Sequence, residues 1–148
     1  MKPDPGHFLG VVAGHLMTRT APALPEAYEQ STVGILGLML ISVGEEFERA
    51  ASRRVEENQA LRRLFADAVP AVEDAELRGR LEVAATGSDG DLKVSALEAS
   101  NSALRGLLIE LHAHVEELES APARRIEEAI WRELAVSTER RRLAIGPF

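Results

Sequence analysis

Apolar residues recur every three or four positions along most of this chain, the spacing that puts them on one face of a helix. Val33, Leu36, Leu40, Val43, Phe47, Ala51, Leu61 and Phe65 share one side of a long segment, and Leu97, Leu104, Leu108, Leu111, Val115 and Leu118 share one side of another. Nowhere does polar and apolar character alternate with period two for long enough to make a strand. Pro22, Pro25, Pro70, the GSDG at Gly87 to Gly90, Pro122 and Gly146-Pro147 punctuate stretches rich in Ala, Leu, Glu and Arg. The pattern predicts helices over 6–19, 25–68, 71–86, 91–119 and 121–143, with a break near Ser31 as the alternative to one long second helix. The fold class is therefore all-α: an antiparallel bundle of four to five helices, two of them long, forming a single domain over residues 1–148.

Local chemistry supports these boundaries. Ser95 and Glu98 have capping-box spacing, Asp89 or Asp91 can cap one turn earlier, and Ser120 offers its oxygen to the last helix. The short link before Ser120 predicts a hairpin of the two C-terminal helices. The run Val33 to Val43 (VGILGLMLISV) is apolar on all sides, yet too short to span a bilayer and closed by Glu45 and Glu46, so it reads as a core helix enclosed by several neighbours. Small residues predict close helix packing at Gly10 and Gly14, at Gly37 and Gly44, and along Ala96, Ala99, Ala103, Gly106 and Ala113. The N-terminus imitates a signal peptide, but Asp4, Pro5, His15 and Arg19 spoil the pattern.

Two asparagines lie on the stripes. Asn58 and Asn101 read as devices that fix register or oligomeric state, so that Asn58→Leu would raise stability. Glu45, Arg49, Arg53 and Glu57 read as i,i+4 pairs on a wet face, and Arg140 to Arg142 as a solvated helix end.

Composition narrows the function. The chain has 148 residues, no cysteine, 24 acidic against 17 basic residues and a net charge of −7. Disulfides, thiolate metal sites and cysteine nucleophiles are excluded, and the field repels phosphate backbones and anionic lipid. Nucleic acid and membrane partners are not expected, and the chain reads as cytoplasmic. There is no GxSxG elbow, no phosphate loop and no dinucleotide fingerprint, and hence no legible catalytic centre.

The densest chemistry is IELHAHVEELE, Ile109 to Glu119, with two histidines and four glutamates. His112 and His114 are about 200° apart on a helix and cannot share an ion. Glu110, His114 and Glu117 fall along one edge, a half-site for a divalent metal that Glu46 or Glu45 would complete. The Glu-x-x-His pairs of di-iron bundles are absent, since Leu111 and Ile109 occupy the positions reserved for Glu. The expected function is non-enzymatic, through protein–protein interaction or self-association. The alternative is a small-ligand or metal-binding bundle with redox activity. A second helix of about 65 Å would exceed what one globule of this size covers, which predicts a homo-oligomer, a dimer first. Folding itself is expected to need no metal.

Overall fold

The computed structural model describes residues 4–142, and every regular element in them is helical. Helix α1 spans Pro5–His15, where Pro5 suits a first-turn position and the Asp4 carboxylate accepts from the amides of Gly6 (2.9 Å) and His7 (3.4 Å). A wider turn, Leu16–Thr20, and a short piece, Ala21–Ala23, extend it to Ala23, ahead of Pro25. Helix α2 then runs unbroken from Ala27 to Ala68, 42 residues and about 63 Å, so there is no break at Ser31. Helix α3 (Ala75–Thr86) starts on Asp74, whose carboxylate accepts from Leu77 N at 2.7 Å; that bond holds the Asp74 carboxyl below its ordinary range. Helices α4 (Val94–Glu116) and α5 (Ala121–Arg140) form the expected hairpin, with the Ser120 hydroxyl accepting from Ala123 N at 3.2 Å. The caps expected at the start of α4 are not made. Lys93 is the cap residue and lends no side-chain bond to the first turn, Ser95 lies inside the helix, and Glu98 pairs with Arg54 at 2.5 Å; of the expected acceptors, Asp91 takes the Lys93 amide at 3.0 Å, just ahead of the helix. No described helix is long and apolar enough to cross a membrane.

The described residues pack as two compact units, residues 4–50 and residues 51–142. In the second unit the C-terminal part of α2 and helices α3, α4 and α5 enclose a continuous apolar core of Phe65, Leu81, Leu104, Leu108, Leu111, Val115, Ile126 and Ile130, among others. Phe65, Leu81, Leu111 and Ile130 are wholly buried. The α4 stripe is as the periodicity predicts, with Leu118 only half-buried at its end.

The first unit is built differently. Gly37 and Gly44 let α1 approach α2 closely: a Cβ on Gly37 would lie 2.5 Å from Met17 Cγ, and one on Gly44 would touch Leu9 Cβ at 3.7 Å. Gly10 and Gly14, by contrast, face open space, and Ala99, Ala103, Gly106 and Ala113 on α4 are exposed, so close packing does not explain those small residues. Among the described residues of this unit, the fully buried apolar side chains are Ala13, Ala21 and Ala50, all one carbon long. The expectation that Val33 to Val43 is enclosed fails: Ile35, Leu36, Met39 and Val43 are exposed and Leu40 is only half-buried. Two helices can bury one shared seam but cannot surround an all-round apolar segment.

Candidate functional site

The second unit holds a buried polar cluster centred on Glu57. Both Glu57 oxygens are saturated: Oε1 accepts from Arg141 Nε (2.7 Å) and Ser137 Oγ (2.9 Å), and Oε2 from Arg141 Nη2 (2.6 Å) and Asn101 Nδ2 (3.2 Å). Burial alone would push the Glu57 carboxyl up. Hydrogen bonds from Arg141 and Ser137, with the charges of Arg141 and Arg105, outweigh that and hold it below the usual range. Asn101 Nδ2 also donates to Asn58 Oδ1 (3.0 Å), while Asn101 Oδ1 accepts from Arg141 (3.2 Å). Asn58 Nδ2 donates to Asp89 (3.0 Å) and to the Leu97 carbonyl (3.4 Å). Asp89 further accepts from Arg62 (2.8 Å) and Ser100 (3.0 Å). The Arg62 hydrogen bonds, against the opposing effect of burial, keep its carboxyl low as well.

The cluster corrects three expectations. Glu57 and Arg53 are buried, not on a wet face, while Arg49 and Glu45 make the expected i,i+4 pair at 2.7 Å. Arg141 is not merely a solvated helix end but the counter-ion of Glu57. The asparagines, expected to carry a desolvation cost, instead have fully used amides that join α2 to α4 within one chain. Because every lone pair of Glu57 is engaged and the carboxylate is closed from solvent, the cluster suits holding helices in place and not proton transfer to a substrate.

The histidines part company. Glu110 bonds to Arg80 at 2.5 Å, and His114 has its Nε2 buried and without a hydrogen-bond partner. Glu117 follows the end of α4, and Glu46 belongs to the other unit. The acidic and histidine side chains that do converge among the described residues are His112, Glu116 and Glu127, one ligand atom of each lying within 4.8 Å of the others. His112 and Glu116 are one helical turn apart, a spacing legible in the sequence; Glu127 comes from α5 across the hairpin and has no local signal.

Two surfaces complete the inventory. A groove of about 670 Å³ between α2 and α5 is lined by apolar residues that include Leu64, Ile126 and Val136, by Arg63, Arg125, Arg132 and Arg140, and by Asp67 and Glu133, the last paired with Arg140. On the first unit, Ile35, Leu36, Met39, Val43 and Phe47 follow one another at helical spacing within about 120° of α2's circumference, each about half or more exposed. No family model matches the chain, and no curated protein or solved structure shows significant similarity to it.

Proposed function

We propose that the protein acts by self-association, with a second copy of the chain covering the α2 stripe of residues 35–47. The observation that carries this reading is the inversion of burial in the first unit: alanines are inside, while Ile35, Leu36, Met39, Val43 and Phe47 are outside, and Phe8 and Val11 of α1 are exposed too. At the surface that such side chains carry when half exposed, the five stripe residues amount to roughly 550 Å², the greater part of what one partner contributes to a stable protein–protein interface. A contiguous apolar patch of that size stands at the upper end of what a monomer exposes and marks an interaction site. A second copy is the occupant that fits, because two identical stripes without a charge from Thr32 to Gly44 are self-complementary in an isologous pair. Light scattering after size exclusion at micromolar concentration is expected to give a dimer, and Met39→Glu with Val43→Glu a folded monomer. Both positions are exposed in the single chain, so the charges cost little there. A wild-type monomer over the same range refutes the reading; a monomer that instead partitions onto neutral lipid vesicles assigns the stripe to a membrane surface.

A second reading, small-ligand binding, is supported by the groove between α2 and α5. Its volume falls in the range of ligand sites, and apolar lining residues with an excess of arginines, four against Asp67 and Glu133, suit a long-chain carboxylate. Titration with dodecanoate tests it. Saturable binding weakened by Arg132→Ala supports the reading, and its absence at millimolar ligand refutes it.

A further inference from the structure

We infer that His112, Glu116 and Glu127 form a site for a divalent transition-metal ion that ties the end of α4 to the start of α5. Three features of the chain support this, beyond the proximity of the ligand atoms.

First, His112 Nε2 is shielded from solvent and has no hydrogen-bond partner, although it stands 3.5 Å from Glu116 Oε1. A buried imidazole nitrogen in that position lacks the bond that would ordinarily satisfy it, and a cation between the two atoms supplies one. Second, 3.5 Å is close to the ligand–ligand edge of a tetrahedral site, roughly 3.3 Å when each bond is about 2.0–2.1 Å. The pair therefore needs little movement to close on an ion, and Glu127 approaches from the neighbouring helix on a side chain with three rotatable bonds. Third, the ring is held. Trp131, one turn beyond Glu127 on α5, packs against His112 edge to face with ring centroids 5.2 Å apart.

One imidazole with two carboxylates suits a borderline cation such as Zn²⁺, and three protein ligands leave a position for water. The donors come from both arms of the hairpin, so occupancy would add to the stability of the second unit in proportion to metal concentration. The site differs from a pairing of Glu110, His114 and Glu117, whose first member is engaged by Arg80.

Trp131 is the sole tryptophan of the chain and reports on the site directly. Protein stripped of metal is titrated with Zn²⁺ and, separately, with Ni²⁺, following tryptophan fluorescence and the melting temperature. The expected result is quenching by Ni²⁺ that saturates at one equivalent, is displaced by Zn²⁺, and is accompanied by a rise in melting temperature. His112→Gln and Glu127→Gln are each expected to weaken binding at least tenfold, and His114→Gln to leave it unchanged. Glu127 is partly exposed, so its amide variant tests the site without disturbing the core. Circular dichroism of each variant confirms folding. Absence of a saturable response below millimolar metal overturns the inference, as does binding that survives both His112→Gln and Glu127→Gln or that is lost in His114→Gln.

Discussion

Arg141 grips Glu57 with two nitrogens, at 2.7 and 2.6 Å, across 84 residues of sequence. The two ends of the pair are not equivalent, because the Glu57 side chain is 3% exposed and that of Arg141 48%. Removing the arginine strands a buried carboxylate, whereas neutralising the glutamate leaves a guanidinium that can turn to water. Arg141→Ala is therefore expected to cost about 3 kcal/mol, the lower end for a broken buried pair because Ser137 and Asn101 still donate. Glu57→Gln should cost less. Urea denaturation of both variants checks the order; equal losses would mean that the pair is solvated in solution.

Acid should find the same cluster. Glu57 and Asp89 both have carboxyls held below the ordinary range, so between that range and the folded value the unfolded chain binds protons that the folded chain does not. Their contribution is present in full above about pH 4–5 and is lost as pH falls through the depressed folded values. Unfolding free energy measured from pH 7 downward should drop in that window. Asp89→Asn should flatten the drop while lowering stability at neutral pH.

Helix number, the α4–α5 hairpin and the α4 stripe were legible because they depend on local periodicity and on caps such as Ser120. The polar cluster was not. Glu45, Arg49, Arg53 and Glu57 have the same i,i+4 spacing whether the face is wet or dry, and what decides the matter for Glu57 is Arg141, which no local pattern connects to it. The candidate metal donors divide in the same way: His112 and Glu116 stand at helical spacing in the sequence, while Glu127 joins them only through the register of the hairpin. The apolar run from Val33 to Val43 misled for a physical reason. Periodicity reports which residues want burial, but what covers them depends on how many helices are at hand, and among the described residues of the first unit α2 has beside it only α1 and its short extension through Ala23.

Asn58 sharpens the contrast between a polar residue on a stripe and one in a network. An apolar replacement raises stability when the amide is poorly satisfied. Here Asn58 bonds to Asp89, Leu97 and Asn101, so Asn58→Leu leaves three groups short of a partner. A loss of about 2–3 kcal/mol is expected, with the oligomeric state unchanged. A higher melting temperature would show that the amide bonds are not maintained.

The glycines of the first unit separate close approach from mere tolerance. Gly44→Ala places its Cβ in ordinary contact with Leu9 and gains about 1 kcal/mol of helix propensity, and Gly10→Ala, in open space, gains as much. Gly37→Ala drives into Met17 Cγ and meets the Ala13 carbonyl oxygen at 3.3 Å, so repacking offsets its propensity gain. Thermal melts should rank Gly44→Ala and Gly10→Ala above wild type and Gly37→Ala at or below it.

Truncating one large apolar residue in each unit tests core against interface. Leu111 is wholly buried inside the second unit, and Leu111→Ala should cost about 2–5 kcal/mol through lost transfer energy and the cavity left behind. That cost arises within one chain and should not vary with protein concentration. Phe47 is 61% exposed in the single chain, so Phe47→Ala removes almost no packing there. If a second copy covers the stripe, its effect enters through association: wild-type melting temperature should rise with protein concentration, and Phe47→Ala should reduce that dependence. Melts over a hundredfold range of concentration distinguish the cases. A Phe47→Ala deficit that is the same at every concentration would place the side chain in an intrachain contact and remove the ground for self-association.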